Sequence, residues 1–386
     1  MATAKAKYYI GLMSGTSADG IDLALVDFND TAPTLIASSY SPYTSLQREK
    51  IVSLYNPDAN EIDRLGVLDK ELAHAFAQAV NSLLTEQNLG PQDIIAIGNH
   101  GQTIRHRPQL STSKLPAFTL QIGCSQTLAC LTDIDVIGQF RQKDIALGGQ
   151  GAPLVPAFHQ ALFTSTQESN DSDDHFIVNI GGIANITYLP ANKQNNILGF
   201  DTGPGNCLMD DWYQQHHSNG YYDQDGDWAA SGLENIELLN ELLSENYFAL
   251  PAPKSTGREI FNKDWLNIRL SNEKLTGDNL SPQDIQATLV SLTARTIAEQ
   301  IMLLCRRGKI VLCGGGKNNN TLKNNLKNLL SSFEFIDIES LGFDGDALEA
   351  MAFAWLAHAY KNNFNSNIPA VTGAHKSTTL GVLFTP

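Results

Sequence analysis

Two periods of apolar residues run through the chain. Short apolar runs at Tyr8–Met13, Ile21–Phe28, Ile94–Ile97, Phe118–Ile122 and Val136–Ile137 predict strands in the first half. Between them, Leu65, Leu68, Leu72, Ala75, Ala79 and Leu83 recur at helical spacing and predict a helix over 61–85, broken by Gly90-Pro91. A short helix is expected over 125–131. The second half repeats the opening plan: Phe176–Ile180 is apolar, Gly181-Gly182 turns, and Ile183–Leu189 returns. Ser281-Pro282-Gln283-Asp284 has the form of a helix start, with Ser as cap and Pro in the first turn. That helix is expected to run to Cys305. Gly308 stops it, Ile310–Leu312 reads as a strand into Gly314-Gly315-Gly316, and a last helix is predicted over 347–360. Strands alternating with helices give an α/β fold. The two strand–glycine turn–strand units suggest a duplicated core.

Composition narrows the partners. The 386 residues leave room for two domains, each with a full core. A net charge of −15 argues against nucleic acid or an anionic membrane as partner, because both select a basic face. The five cysteines, Cys124, Cys130, Cys207, Cys305 and Cys313, are odd in number and form no Cys-x-x-Cys pair, which fits reduced thiols. The N-terminal apolar stretch is too short for a signal peptide, and no run of about 18 apolar residues occurs. A cytoplasmic protein is expected. Asp171-Ser172-Asp173-Asp174 reads as a solvated loop.

Three turns carry candidate chemistry. The first holds Gly15, Thr16, Ser17, Ala18, Asp19, Gly20, Ile21 and Asp22. Glycine and small hydroxyl residues let several backbone amides approach phosphate oxygens. A tight hairpin explains the same letters. The second turn, Asn179 to Asn185 around Gly181 and Gly182, repeats the design. The third, Gly314, Gly315 and Gly316, would let backbone approach a base and ribose. Taken together in this order, they are more specific than any one alone.

That order resembles the sugar kinase, Hsp70 and actin superfamily. Within it, the chain closely resembles the anhydro-N-acetylmuramic acid kinases. It rests on Ile10 to Asp22, Asn99 to Thr103, Phe140-Arg141 with Asp144, Gly148 to Pro153, Asn179 to Asn185, Phe200 to Asn206, Pro253 to Glu259 and Glu349 to Trp355. The resemblance implies two lobes with actin-like, RNase H-like cores around a central nucleotide cleft. Residues 1–150 with 370–386 would form one lobe and 151–369 the other, joined near the loop 141–156.

The resemblance also implies the reaction. Water opens the 1,6-anhydro ring of anhydro-N-acetylmuramic acid, and O6 takes the γ-phosphoryl group of ATP, with Mg²⁺ as the accompanying metal. The sugar and ATP are then the partners, the setting is cell-wall recycling, and a homodimer is left open. By the same matching, Asp201 is the general base, Arg141 reads the sugar carboxylate or developing phosphate charge, and Asp19, His100, Gln102 and Glu349 line the sugar site. Each has a plainer alternative. Asp201 would cap the following helix, Arg141 would pair with Asp144, and His100 would be a satisfied structural histidine. Glu349 would close a capping box with Asp346.

Two positions depart from the pattern. Met13 stands where the superfamily carries an Asp that helps hold metal, so no metal ligand is assigned. Gln139 stands where an Asp is expected before Phe140. An ordinary hexose-type kinase and a non-metabolic ATPase of the same fold remain alternatives.

Overall fold

The computed structural model describes residues 7–15, 17–29, 32–108, 116–166, 173–192, 194–258, 260–271, 280–341 and 343–386. In chain order, the first elements are β1 (Tyr8–Ser14), β2 (Gly20–Asp27), β3 (Thr34–Pro42), α1 (Ser45–Val52), α2 (Glu61–Glu86), β4 (Ile94–Arg107) and β5 (Phe118–Ile122). Next come α3 (Ser125–Thr132), β6 (Val136–Gly138), α4 (Phe140–Ala146) and α5 (Val155–Thr166). Then follow β7 (His175–Ile180), β8 (Ile183–Leu189), β9 (Leu198–Pro204), α6 (Cys207–His216), α7 (Asp227–Ala230), α8 (Ile236–Leu243) and α9 (Lys263–Leu270). The last are α10 (Pro282–Leu304), β10 (Lys309–Cys313), α11 (Asn320–Leu329), β11 (Glu334–Ile336), α12 (Leu348–Lys361), α13 (Pro369–Thr372) and β12 (Val382–Phe384).

The chain divides into two compact units, residues 1–168 with 342–386, and residues 169–341. The first is built on a sheet ordered β12-β6-β4-β1-β2-β3, with β5 added to β4. Along β1, alternate side chains face opposite ways. Ile10 and Leu12 join the core formed with Leu68, Leu72, Phe76 and Val80 of α2. Gly11 between them faces α12, where a Cβ would meet Ala350 O. Gly98 of β4 does the same against Phe353 O. These two glycines let α12 lie directly on the sheet. Each fully buried Leu or Phe contributes roughly 1.5–3 kcal/mol.

The second unit has a sheet ordered β11-β10-β7-β8-β9. Its spine is α10, which starts at a capping box between Ser281 and Asp284. α10 is buried along most of its length because strands β8 and β9 and helices α6, α7, α8 and α11 all pack on it.

The expected duplication is present in the topology. β1 pairs antiparallel with β2 and parallel with β4, and β2 pairs antiparallel with β3. β7, β8, β9 and β10 repeat this pattern, and β6 and β11 add the parallel fifth strand in each unit. The mixed α/β class is therefore shown in both halves.

Several expectations change. The expected division at 150 and 370 is not where the chain divides, because α5 and α12 pack with the first unit and carry 151–168 and 342–369 into it. The glycine-rich stretch 141–156 is internal to that unit. β4 does not end at Ile97: it continues to Arg107, its second half pairing with β5. Of the acidic patch, Asp171 and Ser172 lie outside the described residues. Asp174 accepts from Tyr188 Oη at 3.0 Å and Asp173 lies 3.6 Å from Lys309 Nζ, so this part is tied to its unit. All five cysteines are free thiols.

Candidate active site

In the first unit, the β1–β2 turn is held from behind. Ser14 is fully buried, and its hydroxyl donates to Gln102 Oε1 at 2.6 Å. Gln102 Nε2 in turn donates to Gly15 O at 3.0 Å. Ala18 N donates to Gly15 O at 3.1 Å, and Ala18 takes φ 51°, a left-handed conformation unusual for a residue with a Cβ. Ser17 and Asp19 are left exposed, and the Ser17 hydroxyl donates to Asp19 Oδ1 at 2.6 Å. Thr16 lies outside the described residues.

Asp22, one strand position past Ile21, is half-buried. Its carboxyl is pushed up to about 7, first by burial and then by the charges of Asp19, Glu349 and Asp346. Negative charge is therefore crowded on this side of the turn.

His100 and Gln102 sit inside β4. His100 Nδ1 lies 2.7 Å from Gly101 O, so that nitrogen carries the proton. Its Nε2 is then the acceptor for Arg141, whose Nη2 and Nε lie at 2.9 and 3.2 Å. Burial, then the Arg141 charge, pushes the His100 ring down to about 3, so it stays neutral at ordinary pH. Arg141 is presented by the first turn of α4, after Gln139 in a left-handed conformation at φ 56°. Its Nη1 donates to Gly151 O at 2.8 Å.

No carboxylate among the described residues lies within ion-pair distance of Arg141. The alternative pair with Asp144 is absent, because Asp144 is fully buried and occupied elsewhere. It accepts from Gly151 N, Asn367 Nδ2 and Thr372 Oγ1 at 2.7–2.9 Å. Burial brings the guanidinium down to about 10, opposed by the charges of Glu349 and Asp144. It remains a cation at neutral pH, held by neutral partners.

Glu349 stands in the first turn of α12. The capping box with Asp346 does not form. Ala347 occupies the cap position, no side chain caps the helix, and Asp346 N instead donates to Asp344 Oδ1 at 2.9 Å. The Glu349 side chain reaches solvent. Dense surrounding protein nonetheless raises its carboxyl, with Asp19 adding to the rise and Arg141 opposing it.

In the second unit, three segments converge on the β7–β8 turn. Asn206 N donates to Gly181 O at 2.8 Å, and Gly205 N donates to Gly182 O at 2.9 Å. Gly205 must lack a side chain, since a Cβ would strike Gly181 O. Gly314, at φ +75°, brings the glycine loop against Asn179 and Ile180. Elsewhere in this unit, between α7, α10 and α11, a cavity of about 380 Å³ is lined in part by Ser291, Arg295, Thr321 and Asn325.

Asp201 lies within β9 and does not cap α6, whose cap position is Asn206. A bulge at Thr202 puts Asp201 opposite Asn185 and Gly203 opposite Ala184, which re-aims the strand at this point. Asp201 Oδ2 accepts from Ser255 Oγ at 2.8 Å and from Thr256 N at 2.9 Å. Its backbone N–H donates to Lys254 O at 3.0 Å, and Tyr247 Oη donates to its carbonyl at 2.7 Å. Sequence reasoning assigned no role to Ser14, Tyr247, Ser255 or Thr256. Ser14 stands in the segment Ile10 to Asp22, and Ser255 and Thr256 stand in Pro253 to Glu259, of which Glu259 lies outside the described residues; Tyr247 belongs to neither segment.

No three His, Cys, Asp or Glu side chains among the described residues are grouped to hold a metal ion. No helix among them is long and apolar enough to cross a membrane.

Comparison with known proteins shows the family. The family model for anhydro-N-acetylmuramic acid kinase matches residues 7–386. An anhydro-N-acetylmuramic acid kinase of Colwellia psychrerythraea is 54% identical, over 99% of this chain and 98% of its own. That of Shewanella denitrificans is 48% identical, over 98% of each chain, and that of Shewanella frigidimarina is 48% identical, over 98% of this chain and 99% of its own. The match runs through both α/β units, both glycine turns and the segments that hold Asp201 and Arg141, and the chain belongs to the anhydro-N-acetylmuramic acid kinase family.

Proposed function

We propose that this protein opens 1,6-anhydro-N-acetylmuramic acid with water and transfers the γ-phosphoryl group of ATP to the freed O6. The products are N-acetylmuramic acid 6-phosphate and ADP, and the setting is cytoplasmic recycling of cell-wall sugar. The observation that carries this reading is the end-to-end similarity to curated kinases of that name, at 48–54% identity. Asp201 supplies the general base. Its carboxylate is oriented by two donors on one oxygen.

Arg141 supplies a cation for the lactyl carboxylate or the developing phosphate charge, where its fork makes two contacts. His100 holds that fork without neutralising it. Gln102 supports the turn of Gly15 to Gly20, whose amides serve the phosphates. Gly181, Gly182 and the loop Gly314 to Gly316 serve the nucleotide from the second unit.

Asp22 and Asp19 would hold the Mg²⁺ that accompanies ATP, for which one or two carboxylates suffice, and the ion would supply compensation for phosphate charge. The charge crowded around Asp22 is the kind a divalent cation relieves.

The test is product mass after reaction in ¹⁸O-water. Ring opening adds phosphate and one ¹⁸O, whereas transfer to an existing hydroxyl adds phosphate alone and would replace this reading with an ordinary hexose-type kinase. Asp201→Asn is expected to lose more than about a thousandfold in kcat while keeping ATP affinity and its melting temperature. Loss of folding instead would mark Asp201 as structural.

A further inference from the structure

Asp201 does not sit alone at the edge of its sheet. β9 pairs with β8 on one side only. Along its other edge runs the segment 247–256, which engages Asp201 at four points. Two are backbone contacts: Asp201 N to Lys254 O, and Tyr247 Oη to Asp201 O. Two fall on one carboxylate oxygen, Oδ2, from Ser255 Oγ and Thr256 N.

The segment is itself anchored. Lys254 is 8% exposed, and its ammonium donates to Tyr247 O at 3.2 Å and Phe248 O at 3.0 Å. It also stands 4.9 Å from the Tyr247 ring centre. Gly203, two residues past Asp201, lies against Phe248, where a Cβ would come within 2.6 Å of the ring. Ser255, by contrast, is exposed, and its backbone is placed by neighbours on both sides. An exposed hydroxyl held at 2.8 Å from a carboxylate adds little to the fold.

We propose that Ser255 is a positioning residue for the ring-opening step, its hydroxyl acting with the Thr256 amide to hold the Asp201 carboxylate in its ionised, water-facing orientation. This rests on the reading of Asp201 as the general base. Two donors on one oxygen favour the carboxylate over the carboxylic acid. They also fix the second side-chain torsion, which otherwise rotates broadly for Asp. As the base accepts the proton of water, the Ser255 bond weakens, so it tunes the base as well as aiming it. The Thr256 amide comes from the backbone and is unaffected by side-chain replacement. Ser255 is therefore the part of this clamp that substitution can remove.

The experiment uses the full chain with ATP, Mg²⁺ and 1,6-anhydro-N-acetylmuramic acid. Wild-type protein is first shown to make ¹⁸O-labelled sugar phosphate. Failure at this point sinks the proposed function and the inference with it. With that product in hand, Ser255→Ala, Ser255→Thr and Ser255→Cys are compared for kcat, KM and the pH dependence of kcat. Ser255→Ala is expected to lose on the order of tenfold or more in kcat with KM within about twofold. The acidic limb of its profile should move up by about one pH unit, because the carboxylate has lost a donor. Ser255→Thr, which keeps the hydroxyl, should recover most of both.

A Ser255→Ala enzyme with wild-type kcat and an unmoved limb overturns the inference while leaving the proposed function intact. So does a loss confined to KM, or a Ser255→Thr variant as damaged as Ser255→Ala. Should Ser255→Ala fail to fold, Ser255→Cys decides: its weak donor should give an intermediate kcat and limb, and wild-type values would overturn the inference.

Discussion

At the scale of single residues, the first unit gathers charge that its fold does not need. Asp22 is the clearest case, with a carboxyl pushed up to about 7 by burial and by Asp19, Glu349 and Asp346. An unfolded Asp titrates near pH 4. Below that pH the group is protonated in both states and has no effect on stability. Between about 4 and 7 the folded state binds more protons than the unfolded one, so stability falls as pH rises. Above about 7 the full penalty persists. Asp22→Asn removes it. The variant should match wild type near pH 4 and melt about 2–4 °C higher near pH 8 without added metal. This corresponds to roughly 1 kcal/mol once partial exposure is allowed for. Melting curves at several pH values check this, and a gap that does not open with pH would refute the assignment. A residue that costs stability in the free protein is a candidate for ligand binding, since that is when its charge is compensated.

At the scale of elements, Glu349 is placed by α12, and α12 by two glycines beneath it. Gly11 and Gly98 let the helix backbone rest on β1 and β4, at Ala350 and Phe353. Gly98→Ala would force the helix away from the sheet. Overpacking of this kind typically costs about 1–3 kcal/mol. Because Phe353, which the added methyl would strike, lies one turn past Glu349 on α12, turnover should fall further than stability alone explains when assayed well below the melting temperature. Denaturant unfolding and kcat measured together test this, and normal turnover in a destabilised variant would separate α12 placement from activity. This contact also shows what could be read in the sequence. The period of α2 and the apolar runs of β1, β7 and β10 were legible, because burial on one face imposes a period. The glycines at 11 and 98 read as interruptions, because their reason is a helix more than 240 residues away in the chain. From the apolar run alone, Gly98 reads as a strand end. The candidate residues Asp201, Arg141 and Glu349 were legible as motif letters. Their partners His100 Nε2, Ser255 and the Thr256 amide were not, since hydrogen-bond geometry leaves no pattern along the chain.

At the scale of the whole molecule, the proposed chemistry is divided. The residues given to sugar and phosphate charge, Asp19, Arg141 and Glu349, belong to one unit, and the base Asp201 with the glycine loop 314–316 belongs to the other. Each unit has its own sheet and core, so each holds its side chains in place by its own packing. A base that activates water is a hazard to ATP unless it acts only when the sugar is bound, and excluding bulk water is the usual protection. ADP formation should therefore be tied to the sugar. With ATP and Mg²⁺ alone, release is expected at less than about 1% of the rate seen with anhydro-sugar. The converse should also hold: in ¹⁸O-water with a non-hydrolysable ATP analogue, no ring-opened sugar should accumulate. A coupled ADP assay and mass analysis of the sugar read these two arms. Rapid ADP release without sugar would instead mark the protein as an ATPase whose turnover is independent of any sugar. Ring opening without a transferable phosphate would separate Asp201 chemistry from the kinase step.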